Sequence, residues 1–302
     1  MNVLVTGAFQ LNDDELAALE ADGHKVFLHA DERAPVKQPE RYNAVICNAL
    51  FLYNPIEHFC NLRLIQLTGA GLDRVPLAYI RDHSIELHNA IGVYSNPMAE
   101  FAIAGILYFY KQGHFFTENQ ARHKWEKHRG LLELTDKRVC VLGCGDVGQK
   151  VAKRLKAFGC RIVGVNRTVR QLPDFDMIFP LDKLADAVSA CDILICCVAL
   201  TAETRGIVSK AVFNRLSPDA IFVNVARGAL ADTAALTVWL QHGGRAVLDV
   251  FEEEPLSETS PLWDMENVIL TPHNSFVGDG NRARLWDIIS RSLNIAEKEH
   301  GK

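Results

Sequence analysis

The chain has 302 residues, 48% of them apolar and 23% charged, with a formal net charge of -5. That length supplies core enough for two domains without a disulfide or metal staple, and the absence of a basic block argues against nucleic acid or an anionic membrane as partner. No apolar run is long enough to span a bilayer, and the opening "MNVLVTGAFQ" reads as a strand rather than a signal peptide; the expected partners are a small molecule and a second copy of the chain, and the expected location is the cytoplasm.

Strand-like runs alternate with helical patterns, which predicts an α/β protein with parallel sheets and helices on both faces. "NVLVTG" reads as a strand and "NDDELAALEADG" as a helix, with Asn12 as N-cap, Glu15 at the capping-box position and Gly23 as its stop. The strands "HKVFLH", "YNAVICN", "LRLIQLTGAG" and "SIELHNA" complete a first small α/β domain. From Pro97 a long apolar helical run, "PMAEFAIAGILYFYKQG", predicts a helix buried on several sides, at a domain junction or a subunit interface. It favours a homodimer.

A second series then opens with "RVCVLGCGDVG" and a helix over 147–158, followed by the strands "CRIVGVN", "CDILICCVAL", "AIFVNVARG", "RAVLDV" and "NVILTPH". Six strands with interposed helices make a doubly wound dinucleotide-binding fold. The final helix, from about residue 278, has no strand after it and is expected to return to the first domain. The predicted organisation is therefore a smaller substrate domain over 1–96, completed by 276–302, and a dinucleotide-binding domain over 97–275. The eight cysteines show no C-x-x-C pair or Cys/His ligand spacing and read as buried hydrophobes. His114, His123 and His128 share no i, i+4 face, so no metal is expected.

Two glycine turns follow strands. "VLVTGAF" lacks a second and third glycine, so Thr6-Gly7 reads as a plain strand-to-helix turn. "VLGCGDVG" carries the full fingerprint: Gly143 permits the tight turn, Gly145 lets backbone approach a pyrophosphate, and Gly148 allows close helix packing. The next strand ends at Asn166-Arg167-Thr168. An aspartate there would read the ribose hydroxyls and repel a 2′-phosphate; asparagine removes the charge and Arg167 adds a fork suited to phosphate. The expected cofactor is NADP(H), with NAD(H) possible if these residues are only solvent-facing polars. Arg170 is a further cation nearby.

Three later strand ends carry groups fit for chemistry: "VNVARGAL" with Arg227, "LDVFEEEP" with Asp249 and Glu254, and "ILTPHNSF" with His273. In a doubly wound sheet these ends line one crevice. Together with "TGAGLDRVP", "SNPMAEFAIAGIL", "ELTDKRVCVLGCGDVG", "VALTAETRGIVS" and "PLWDMENVILTPHNS", they resemble the D-isomer-specific 2-hydroxyacid dehydrogenases over about residues 68 to 275, most of all the glyoxylate/hydroxypyruvate reductase branch.

That resemblance implies a Rossmann domain and a flavodoxin-like substrate domain, and reduction of a small 2-keto acid by NADPH to the D-2-hydroxy acid. Arg227 would hold the substrate carboxylate and carbonyl oxygen, and His273, paired with Glu254, would exchange the proton; an imidazole titrates near neutrality, and a neighbouring carboxylate favours its cation. Glu252 and Glu253 are adjacent, and Glu254 is chosen for its place before Pro255. Asp249 would bond the nicotinamide carboxamide, and the backbone of Gly69, Ala70 and Gly71 would cradle the substrate carboxylate. The expected cofactor contacts are Gly143, Gly145, Asp146, Val147, Gly148, Asn166, Arg167, Thr168, Ala199, Thr204, Ala226 and Asp249. Trp263, Arg74, Tyr94, Arg282 and Arg284 are weaker pocket candidates. Competing readings are an NAD-dependent D-lactate or phosphoglycerate type of dehydrogenase, and a non-catalytic dinucleotide sensor that retains the same residues.

Overall fold

The computed structural model describes residues 1–300, with side chains through Asn294. The chain divides into two compact units, one of 1–94 with 279–302 and one of 95–278.

The first unit contains β1 (Asn2–Thr6), α1 (Asp13–Ala21), β2 (Lys25–His29), β3 (Ala44–Cys47), β4 (Leu64–Leu67), α2 (Leu77–Asp82) and β5 (Glu86–His88). Its five strands are all parallel, in the order β2-β1-β3-β4-β5, which is the flavodoxin-like winding. Asn12 opens α1 by accepting from the Glu15 N–H at 2.8 Å, and Glu15 answers by accepting from the Asn12 N–H at 3.0 Å, the reciprocal box read from the sequence. Strands β3 and β4 are buried along their whole length, as the centre of a sheet covered on both faces must be. The C-terminal helix (Asn281–His300) supplies part of that cover: Leu285, Ile289 and Leu293, four residues apart, pack with Val3, Val5, Ala44 and Ile46.

The second unit contains α3 (Ser95–Tyr110), α4 (Gly113–Ala121), β6 (Arg138–Leu142), α5 (Asp146–Ala157), β7 (Arg161–Val165), β8 (Met177–Phe179), α6 (Leu184–Ala187), β9 (Ile193–Cys196), α7 (Lys210–Phe213), β10 (Ile221–Asn224), α8 (Thr233–Gln241), β11 (Arg245–Leu248) and β12 (Val268–Leu270). Its sheet has seven parallel strands, ordered β12-β11-β10-β9-β6-β7-β8. The order reverses between β6 and β9, so the crevice for a ligand opens at the carboxyl ends of those two strands. The sequence predicts six strands here. The seventh, β8, is a three-residue edge strand with an exposed Met177, too short to show a period.

The buried side of the apolar helix α3, Ala99, Ala102, Ile103, Ile106 and Tyr110, joins the core of its own unit with Val139, Val141, Val151, Val223 and Val247, and Glu100, Ala104 and Tyr108 are exposed.

Candidate active site

The glycine turn leaves β6 at the reversal of strand order. Gly143 has φ +96°, a left-handed conformation that an L side chain adopts at a cost, and a Cβ there would lie 2.5 Å from the Val198 backbone nitrogen. A Cβ on Gly148 would lie 2.0 Å from the Gly143 carbonyl oxygen; only a bare backbone lets α5 start this close to the strand. Around Gly145, by contrast, no atom lies within 4 Å of the Cβ position. Gly145 is the N-cap of the twelve-residue α5 and offers no side chain to its first N–H groups. Open space before a helix N-terminus fits the pyrophosphate of a dinucleotide. Asp146 and Val147 follow in the first turn of α5, both half-buried.

Asn166 ties the next strand to this turn. Its Oδ1 accepts from the Cys144 N–H at 3.4 Å and its Nδ2 donates to the Thr168 carbonyl at 3.1 Å. Arg167 and Thr168 are exposed, and the Arg167 Nε stands 3.3 Å from Glu203 Oε2, on the loop after β9. Ala199 on that loop is exposed. Thr204 braces that loop from within: it is 1% exposed, and its hydroxyl donates to the Ala199 carbonyl at 2.7 Å and accepts from the Thr201 N–H at 2.8 Å. Ala226 is likewise buried, with its carbonyl accepting from Arg227 Nη1 at 2.8 Å.

At the other side of the sheet, β10, β11 and β12 deliver three connected segments. Asn224, 1% exposed, closes the turn after β10 by accepting from the Ala226 N–H at 3.1 Å and donating to the Arg227 carbonyl at 2.9 Å. A Cβ on the following Gly228 would lie 1.8 Å from the Phe251 carbonyl carbon, so the Arg227 turn rests directly on the segment after β11. The sequence reading missed Asn224; an amide inside the apolar run "IFVNVA" was the available signal.

Asp249 is fully buried, and it organises the loop after β12. Its backbone oxygen accepts from the His273 N–H at 2.8 Å. Its Oδ1 accepts from the Thr271 hydroxyl and the Asn274 N–H, both at 2.7 Å, and its Oδ2 from the Ser275 N–H at 2.9 Å. With no surface exposed, Asp249 holds the histidine loop in this structure rather than presenting a carboxylate to a nicotinamide. His273 itself has φ +52°, a left-handed conformation rare for a residue with a Cβ, and these bonds maintain it.

The His273 ring reaches Glu254, with Nδ1 2.8 Å from Oε2; the other oxygen of Glu254 accepts from the Phe251 N–H at 3.0 Å. Glu252 instead accepts from the Thr233 hydroxyl at 3.1 Å, which separates it from Glu254 by what it touches. An arginine, a carboxylate and an imidazole on the segments after three consecutive parallel strands, β10, β11 and β12, can bind a carboxylate and exchange a proton.

The dinucleotide-binding unit matches the model of the D-isomer specific 2-hydroxyacid dehydrogenase, NAD binding domain, over residues 103–275. The chain belongs to the D-isomer-specific 2-hydroxyacid dehydrogenase family. It is 32% identical over 245 residues to a glyoxylate reductase of Aeropyrum pernix, covering 77% of this chain and 72% of that protein. It is 30% identical over 243 residues to a glyoxylate/hydroxypyruvate reductase of Arabidopsis thaliana, covering 79% and 74%. An NADPH-dependent glyoxylate/hydroxypyruvate reductase of Sinorhizobium meliloti, solved with citrate, superposes with a TM-score of 0.82 at 26% identity over 100% of this chain and 96% of that one. This dehydrogenase therefore acts on a small 2-hydroxy or 2-keto acid with a nicotinamide dinucleotide.

In the other unit of the dehydrogenase, Gly69, Ala70 and Gly71 follow β4. The Gly69 carbonyl accepts from the Ala90 N–H at 3.0 Å and the Ala70 carbonyl from Asn89 Nδ2 at 2.9 Å, which fixes the loop through its oxygens. Tyr94, a weaker pocket candidate, donates its hydroxyl to the Thr68 carbonyl and braces the same loop; burial raises its pKa. Arg282 donates to the Gln10 carbonyl and to Glu15, and Arg284 to the Val93 carbonyl. Both anchor the C-terminal helix within their unit. Trp263 is 54% exposed, with Nε1 donating to the Ser257 carbonyl at 2.9 Å, and Arg74 is half-buried.

The first glycine turn has an internal occupant. Thr6 donates its hydroxyl to Glu32 Oε1 at 2.7 Å, and the same carboxylate accepts from the Asn48 and Ala49 N–H groups, each at 2.7 Å. Glu32 thus fills the anion position at the β1/β3 reversal, where the flavodoxin-like winding offers its crevice. Among the described residues no helix is long and apolar enough to cross a membrane.

Proposed function

We propose that this chain reduces a small 2-keto acid of the glyoxylate or hydroxypyruvate type to the D-2-hydroxy acid, with NADPH as the preferred hydride source. The observation that carries the reading is the 2.8 Å contact of His273 Nδ1 with Glu254, on the segments that follow β12 and β11, in the same run of three strands as β10, which leads to Arg227. A bound nicotinamide supplies the hydride; the protein must supply a proton to the carbonyl oxygen and hold the carboxylate. With Nδ1 committed to Glu254, Nε2 of His273 is the nitrogen that gives the proton in reduction and takes it back in oxidation. Glu254 fixes the orientation of the ring, while the planar Arg227 guanidinium takes the carboxylate. The N–H groups of Gly69, Ala70 and Gly71 are proposed as a cradle for a carboxylate.

The NADPH preference rests on the missing acid at Asn166 and on the exposed Arg167 and Thr168 beside the glycine turn; the printed NADPH dependence of the Sinorhizobium relative is in line with it. A homodimer belongs to the same reading, supported by Ala104 and Tyr108 on the exposed side of α3; sedimentation of the purified protein tests it. The cysteines, of which only Cys60 is exposed, suit a reducing compartment, and the cytoplasm is the proposed location.

Absorbance of the reduced nicotinamide, followed with NADPH and separately NADH over a panel of 2-keto acids, tests the activity. Oxidation of NADPH by short keto acids is the expected result. No oxidation of either cofactor with any acid would sink the catalytic assignment, and a clear preference for NADH would sink the cofactor assignment.

A further inference from the structure

The acid missing from the end of β7 is present elsewhere. Arg167 lies just after β7 and Glu203 on the loop after β9, and β6, whose exit is the glycine turn, lies between these two strands in the sheet. The 3.3 Å contact of Arg167 Nε with Glu203 Oε2 therefore bridges the loops on either side of the glycine turn. Glu203 is held in place from beneath: its neighbour Thr204 is buried and clamps the loop through the Ala199 carbonyl and the Thr201 N–H.

We infer that Glu203 is a specificity-determining residue that limits how strongly the chain selects NADP(H) over NAD(H). The inference rests on the proposed role of Arg167 at the adenosine 2′-phosphate. A phosphate that engages Arg167 must do so in the field of the Glu203 carboxylate already on that guanidinium, and like charges this close repel. A ribose that carries only a hydroxyl meets no such repulsion and leaves the ion pair closed. Both side chains are more than half exposed, so solvent screens the effect and the pair itself adds little to stability. Removing the charge of Glu203 should therefore favour the phosphorylated cofactor alone.

The test is titration of the purified protein with NADP+ and NAD+, followed by calorimetry or tryptophan fluorescence, for the parent, Glu203→Gln and Arg167→Ala. Glu203→Gln should bind NADP+ roughly three- to tenfold more tightly, as expected for a screened repulsion between a carboxylate and a phosphate dianion, with NAD+ binding unchanged. Unchanged or weaker NADP+ binding in Glu203→Gln would overturn the inference, as would an equal gain for both cofactors. Arg167→Ala separates the two claims: if it weakens NADP+ while Glu203→Gln does nothing, only the role of Glu203 falls. If Arg167→Ala leaves NADP+ binding untouched, the assignment of Arg167 falls as well.

Discussion

Replacing Gly145 by alanine should leave the dinucleotide-binding unit folded and weaken its hold on NADP+, whereas replacing Gly148 should damage the fold itself. The two glycines are three residues apart, and the geometry treats them oppositely. At Gly145 the backbone has φ -77° and ψ -156°, a conformation open to alanine, and the Cβ would meet no atom within 4 Å. Restricting the unfolded chain favours the substitution by about 0.4–1 kcal/mol, and the poorer N-cap opposes it by a similar amount, so the melting temperature should move by about 2 °C or less. At Gly148 the Cβ would lie 2.0 Å from the Gly143 oxygen. Helix α5 must then lift from β6, at a cost of at least ~1–3 kcal/mol, or several degrees in melting temperature. A methyl group at Gly145 occupies the space proposed for the pyrophosphate, and a tenfold or greater loss of affinity, about 1.4 kcal/mol, is expected. Thermal melts and NADP+ titration of both variants decide the matter. Unchanged affinity in Gly145→Ala would refute the placement of the pyrophosphate, and a melting loss there as large as in Gly148→Ala would refute the packing argument.

Arg227→Ala and His273→Ala should each lower kcat/KM by orders of magnitude while NADP+ binding stays close to that of the parent; a large loss of cofactor affinity in either would mean the chemistry is sited elsewhere. Glu32→Gln removes the charge that gathers the Thr6 hydroxyl and the Asn48 and Ala49 N–H groups, and should destabilise the first unit by about 1–3 kcal/mol in urea unfolding; a variant as stable as the parent would show the carboxylate to be dispensable. Burial raises the Cys144 thiol to about 12 and that of Cys197 likewise to about 12. The unfolded chain then releases these protons above about pH 9 while the folded chain keeps them, so stability should fall with rising pH by about 1.4 kcal/mol per unit for each such thiol. Equal urea midpoints at about pH 8 and about pH 10 would contradict this. In the native protein at neutral pH, Cys60 should be the thiol that a charged disulfide reagent modifies first, and rapid modification of the buried Cys144 would contradict its packing.

The sequence by itself determined the winding of both units and the glycine turn, and it singled out Arg227, Glu254 and His273 as the groups proposed for the chemistry. These are local or order-dependent features: a capping box, a period, three glycines at fixed spacing, groups at strand ends. It missed β8 because three residues at a sheet edge carry no period. It could place Glu254 only by its position before a proline. Tertiary structure decided the rest, since contacts between strands far apart in the chain set it. Those contacts pair His273 with Glu254 rather than Glu252, bury Asp249 and Thr204 as braces beneath their loops, and seat Glu32 in the first turn. They also bring Glu203 to Arg167. A residue's type and spacing state what chemistry it can do; burial and partners, fixed only when the parallel sheets close, state which of those roles is left to it.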